Sequence, residues 1–289
     1  MTNLVSPAQL IHLQRCAEHG EGPAVRVLDV RWRLDRPEGR PEYVRAHLPG
    51  AVYVDLEHEL ADRGQPERGR HPLPSVENLQ AAARGWGLGA SDIAVAYDDN
   101  RGVAAARLWW LLRRAGVDAR VLDGGIRGWV AEGLPLEPGD VLPEPGDVVL
   151  VASDDGRIAL EEIEAFARTG VLLDVRTPEQ YSGARTSLDP VGGHIPGAVN
   201  LPAMAVVDGD GRLRHPDALR RIFASVGVGT NAQVAVYCGS GVAAMHTALA
   251  LDQAGIRAVV YPGSWSEWSN QRGLPVAIGI LPNGRLSAV

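Results

Sequence analysis

Residues Val234–Leu251 read VAVYCGSGVAAMHTALAL. Val234–Tyr237 is a short apolar run, Cys238–Gly241 is built of small residues, and an alanine-rich helical pattern follows. The stretch is therefore read as strand, tight loop and helix, with Cys238 at the point where the strand ends. Backbone N–H groups at such a junction converge on whatever group sits there and favour negative charge on it, here on sulfur. Gly239 and Gly241 let the backbone fold tightly around an anion. A lone cysteine before a helix is more often a small buried hydrophobe, so the rest of the chain has to decide between the two readings.

A chain of 289 residues has room for two domains of ordinary size. Its 45% apolar and 22% charged content is that of a globular protein without a membrane span, and its net charge of −7 argues against nucleic acid as a partner. Every basic residue is arginine, since the sequence holds no lysine; a cation at any site must be Arg, a protonated His or the N-terminus. The opening residues lack the basic-then-apolar pattern of a signal peptide. Two cysteines, Cys16 and Cys238, make no disulfide framework, and no Cys/His cluster has zinc spacing. The expected setting is the reducing cytoplasm, with no metal and no organic cofactor.

The chain also repeats itself. Leu28-Asp29-Val30-Arg31 recurs as Leu173-Asp174-Val175-Arg176, and His47-Leu48-Pro49-Gly50-Ala51 recurs as His194-Ile195-Pro196-Gly197-Ala198. Ala115-Gly116-Val117 returns as Ala254-Gly255-Ile256, and Gly133-Leu134-Pro135 as Gly273-Leu274-Pro275. Matched blocks in one order define two copies of one unit. The Pro-, Gly- and acid-rich stretch around Leu136–Val149 reads as a linker. The expected domains are 1–136 and 153–289, joined by 137–152.

Strands alternate with helices in each copy, so each is expected to be an α/β domain with a mainly parallel sheet flanked by helices. Such sheets bind ligands at the carboxyl ends of their strands, where Cys238 lies. The first copy has Asp98 at the matching position. His47 and His194 occur in both copies although only one carries the cysteine, so both are assigned to the fold rather than to chemistry. Asp29 and Asp174 are read as strand-end acceptors, and Trp109, Trp110, Trp129 and Trp268 as core. His246 is expected on the surface of its helix, without a role.

The tandem units, His-Ile-Pro-Gly-Ala at 194–198 and Cys-Gly-Ser-Gly-Val at 238–242 together resemble the rhodanese-like sulfurtransferases, over nearly the whole chain. The resemblance implies a silent first domain, because the Asp98 carboxylate cannot carry a persulfide, and an active second domain with Cys238 as sulfur carrier. Members that prefer thiosulfate have two cations in the cysteine loop. The neutral Gly239-Ser240 resembles instead the members that use 3-mercaptopyruvate, although Ala243 stands where those usually have Thr. In them a hydroxyl, a histidine and an acid form a relay, which here would be Ser240, His71 and Glu57. The outer sulfur of the persulfide would be held by N–H groups of residues 239–243, with Gly239, Gly241, Val242 and Ala243 as substrate-binding candidates.

The resemblance also implies an arginine before an aromatic residue as holder of the substrate anion, but here Gln180 precedes Tyr181. Arg185 is the candidate to compensate. The expected reaction moves sulfur from a small-molecule donor, 3-mercaptopyruvate, through Cys238 to cyanide or a thiol such as thioredoxin or a low-molecular-weight thiol. Thiosulfate as donor, and a persulfide carrier that turns nothing over, are the alternatives. A cysteine phosphatase is set aside because Cys-x5-Arg is broken by Ala244.

Overall fold

The computed structural model of the chain describes residues 3–185 and 188–288. They fall into two compact units. Unit 1 takes the residues up to Asp62, Pro74–Asp154 and Asp208–Leu213; unit 2 takes Arg63–Leu73, Asp155–Val207 and the chain from Arg214 onward. Two short segments thus fold with the opposite repeat. A repeat offset aligns segments by descent and carries no information about this packing.

Unit 1 runs β1 (Leu4–Val5), α1 (Pro7–Glu18), β2 (Val25–Asp29), α2 (Arg40–Arg45), β3 (Val52–Tyr53), α3 (Leu56–Glu59), α4 (Val76–Gly85), β4 (Ile93–Tyr97), α5 (Val103–Arg114), β5 (Asp118–Leu122) and α6 (Gly125–Ala131). Its five strands form a parallel sheet in the order β1-β5-β4-β2-β3. All five residues of β4 are buried, as expected of a central parallel strand covered on both faces. Leu10, Val27, Leu48, Val95, Tyr97 and Trp129 belong to its core.

Unit 2 runs α7 (Leu160–Thr169), β6 (Val171–Asp174), α8 (Pro178–Ser182), β7 (Val199–Asn200), α9 (Pro216–Ala224), β8 (Val234–Tyr237), α10 (Val242–Gln253), β9 (Ala258–Val260), α11 (Ser264–Trp268), β10 (Pro275–Ile278) and β11 (Arg285–Ala288). Four strands pair in parallel in the order β7-β6-β8-β9, and β10 and β11 form a separate antiparallel hairpin. The core gathers Ile163, Leu172, Ile195, Ala235, Tyr237, Trp265 and Trp268. The parallel α/β sheets and flanking helices are those read from the strand–helix alternation.

Both units end the helix after the key loop at a glycine in the left-handed region, Gly116 at φ +93° and Gly255 at +78°. Their two His-φ-Pro-Gly turns are also built alike. His47 Nδ1 lies 2.9 Å from the Tyr43 carbonyl, and His194 Nδ1 lies 2.9 Å from that of Tyr181. Each imidazole stacks on the same tyrosine, with ring centroids 4.3 and 3.7 Å apart. Asp29 and Asp174 accept bidentate hydrogen bonds from Arg31 and Arg176. His246 differs from expectation: it is 1% exposed. The two faces of α10 are both apolar, so a residue on it is covered whichever way it points.

Candidate active site

Cys238 directly follows β8 and is 3% exposed. Its Sγ accepts the N–H of Gly241 at 3.1 Å. Gly241, at φ +81°, caps α10, and a Cβ there would lie 2.2 Å from the carbonyl oxygen of Pro262. Glycine is therefore required at 241 on both conformational and steric grounds. Gly239 lies close to Arg70: a Cβ there would stand 3.1 Å from its Nη2.

The loop is clamped from α11. Trp265 N–H donates to the Cys238 carbonyl at 3.0 Å, and Ser266 N–H to that of Gly239 at 2.9 Å. The N–H of Cys238 itself donates to Ser264 Oγ at 3.1 Å, and that hydroxyl donates onward to the Tyr261 carbonyl at 2.9 Å. Ser264 Oγ is 4.0 Å from the sulfur. Ser264 is fully buried and held at φ +55°, where a side chain is strained.

The matching loop of unit 1 is built on the same plan. Asp98 is 1% exposed, and its carboxylate accepts four backbone N–H groups. Asn100 and Gly102 donate to Oδ1, both at 2.8 Å, and Ala104 and Ala105 donate to Oδ2 at 2.8 and 3.0 Å. Gly102, left-handed at φ +84°, caps α5 as Gly241 caps α10. The loop geometry is thus an anion cradle, filled in unit 1 by the chain's own carboxylate. Burial raises the Asp98 pKa, and the four N–H bonds oppose that rise. By the repeat, Oδ1 corresponds to Cys238 Sγ, and the N–H groups that meet Oδ2 correspond to those of Ala243 and Ala244.

Unit 2 also brings His71 to the loop. His71 Nδ1 lies 2.8 Å from Ser240 Oγ, and the two side chains are buried. His71 reaches this place because Arg63–Leu73 folds with unit 2. Val242 and Ala243 open α10, the former buried and the latter half-buried.

Three other candidates each have a contact of their own. Glu57 lies in unit 1 on α3, where its Oε1 accepts the indole N–H of Trp32 at 2.7 Å. Gln180 is a capping residue: its Oε1 accepts the N–H of Thr177 at 3.2 Å, at the start of α8. Arg185 is exposed, with its backbone N–H donating to the Glu179 carbonyl at 3.0 Å.

Two residues beside the loop were given no role by sequence reasoning. Arg70 precedes His71 and is ion-paired through Nη1 with Asp189. Ser264 carried a signal: it stands at the repeat position of Gly125, which is also left-handed, at φ +54°. A serine where the other copy keeps a glycine marks a hydroxyl retained against backbone strain.

The rhodanese-like domain pattern matches residues 13–132 and 159–271. A Mycobacterium tuberculosis protein, provisionally named thiosulfate sulfurtransferase SseB, is 44% identical over 262 residues, covering 89% of this chain and 92% of its own. The 3-mercaptopyruvate sulfurtransferase of Escherichia coli is 34% identical over 270 residues, covering 90% and 94%. The crystal structure of SseA from Escherichia coli, described as showing the rhodanese fold of 3-mercaptopyruvate sulfotransferases, superposes with a TM-score of 0.79 at 31% identity, covering 92% of this chain and 99% of that one. With both copies of the domain matched and relatives of this identity along nearly its full length, the chain belongs to the rhodanese-like sulfurtransferase family.

Proposed function

We propose that the protein is a sulfurtransferase that takes sulfur from 3-mercaptopyruvate, forms a persulfide on Cys238 and passes the sulfur to a thiol or to cyanide. The observation that carries this reading is Cys238 Sγ in its N–H cradle, with the Ser240–His71 pair in the same loop. In the first half-reaction the Cys238 thiolate attacks the sulfur of the donor. The donor's carbon–sulfur bond breaks and its electron pair passes to carbon as the enolate of pyruvate. The proton of the donor thiol moves to that carbon, with Ser240 and His71 as its path, and pyruvate leaves. In the second, the acceptor attacks the outer sulfur and returns Cys238 as thiolate. Gly241 N–H supports Sγ, and the outer sulfur would be held by the N–H groups of residues 239–243, with that of Ala244 added by comparison with the Asp98 loop. The relay in this reading is Ser240, His71 and the Glu57 carboxylate, whose Oε1 also accepts the Trp32 indole N–H.

The proposed acceptor is thioredoxin or a small thiol of a reducing cytoplasm. In support, both cysteines are free thiols. Thiosulfate is the second reading, favoured by the name of the mycobacterial relative and by the arginine beside Gly239. Steady-state kcat/KM for the two donors, with pyruvate measured as product, decides between them. Mercaptopyruvate is expected to be the better donor, and a higher value for thiosulfate reverses the order.

A further inference from the structure

Within the sulfurtransferase reading, on which this rests, we infer that Arg70 holds the anionic head group of the sulfur donor. Four observations meet at this side chain. Its Nη2 stands 3.1 Å from the position a Cβ on Gly239 would take, which puts a cation against the cysteine loop. Its Nη1 is paired with Asp189, whose side chain is 3% exposed, and its backbone N–H donates to Ser266 Oγ at 3.0 Å, so the guanidinium is oriented from both ends. Its Nε is buried and meets no acceptor among the described residues. The Nε–Nη2 edge is the one by which Arg31 and Arg176 each grip a carboxylate in this same chain.

An arginine fork held in place by an acid on one corner, with its bidentate edge unspent, suits a carboxylate or sulfonate. Burying a guanidinium N–H without an acceptor is costly, and an anion docked on that edge supplies one. The arrangement also accounts for two features of the sequence. Gly239 and Ser240 carry no charge, yet the loop is not without a cation, because Arg70 arrives from Arg63–Leu73. Gln180 is free to serve as a cap because the anion is met elsewhere. Arg70 acts on donor binding, whereas Ser240 and His71 act on proton movement.

The test is steady-state kinetics of Arg70→Gln and Arg70→Lys with 3-mercaptopyruvate and with thiosulfate. It is run beside mass spectrometry of Cys238 persulfide in the wild-type protein. Losing a charge-assisted hydrogen bond to the substrate is expected to raise KM about 10- to 100-fold in Arg70→Gln, with kcat changed by less than about threefold. Arg70→Lys, which keeps the charge and loses the fork, is expected to fall between the two. Should Arg70→Gln fail to fold, a rise in KM of about threefold or more in Arg70→Lys carries the same conclusion. An unchanged KM for both donors in a folded variant overturns the proposal, as does a fall in kcat at constant KM. Absence of persulfide in the wild type with either donor would instead overturn the sulfurtransferase reading itself.

Discussion

Ser264 and Cys238 are bound to each other across the loop: the N–H of the cysteine donates to the serine hydroxyl at 3.1 Å, while the serine is held at φ +55°. The two facts pull in opposite directions. The bond satisfies a buried donor, and the backbone conformation costs about 1 kcal/mol or more for a residue with a side chain. Ser264→Ala removes the bond and keeps the strain, so it is expected to lower stability by about 1–3 kcal/mol. Ser264→Gly removes both and is expected to melt above Ser264→Ala. Thermal unfolding of the two variants checks this; equal midpoints would show that the strain is not there to be released.

Asp98 holds the loop of unit 1 as a bound anion would. Asp98→Ala leaves the N–H groups of Asn100, Gly102, Ala104 and Ala105 without their acceptor. The expected loss is about 2–4 kcal/mol of stability, seen in urea unfolding. Asp98→Asn is expected to recover only part, because its amide N–H₂ must face one pair of donors. Wild-type stability in Asp98→Ala would contradict the anion-cradle reading of both loops.

Much of this was legible in the chain. The repeat fixed two α/β units, and the loss of the cysteine at Asp98 pointed to Cys238. Capping glycines at 116 and 255 and core tryptophans at 129 and 268 were placed by pattern alone. His71 and Ser240, 169 residues apart, were joined only through resemblance, and the structure sets them 2.8 Å apart. The placement of Arg70 beside Gly239 was not legible, because it depends on Arg63–Leu73 folding with unit 2, and no local pattern encodes that. Gln180 stands where the resemblance implies an arginine, and the structure adds that its side chain caps α8 through Thr177. His246 was misplaced because an alanine-rich helix with two apolar faces has no polar side to read.

The Ser240–His71 pair is expected to act as one unit. Ser240→Ala and His71→Ala should each lower kcat with 3-mercaptopyruvate by about 10²-fold or more. The double variant should be no slower than the worse single one, because either change breaks the same path. Multiplicative losses in the double variant would show that the two side chains work independently.

Burial lowers the pKa of His194 despite carbonyls near both ring nitrogens, Tyr181 at 2.9 Å and Pro282 at 3.2 Å. A depressed histidine binds its proton more weakly in the folded state than in the unfolded one. Its contribution is therefore present above the unfolded value of about 6.5 and is lost as pH falls through the lower folded value. The melting temperature is expected to drop between pH 7.5 and 5, and the drop should shrink in His194→Gln. Superimposable acid limbs for the two proteins would remove His194 from this account.

Sulfur transfer through Cys238 is open to intact-protein and peptide mass spectrometry after one equivalent of 3-mercaptopyruvate, with pyruvate measured in the same sample. One added sulfur is expected on the peptide containing Cys238, none on that containing Cys16, and pyruvate in matching amount; an acceptor thiol then removes the sulfur. Cys238→Ser should show neither the adduct nor the pyruvate, and pyruvate release from Cys238→Ser at the wild-type rate would rule out Cys238 as the sulfur carrier.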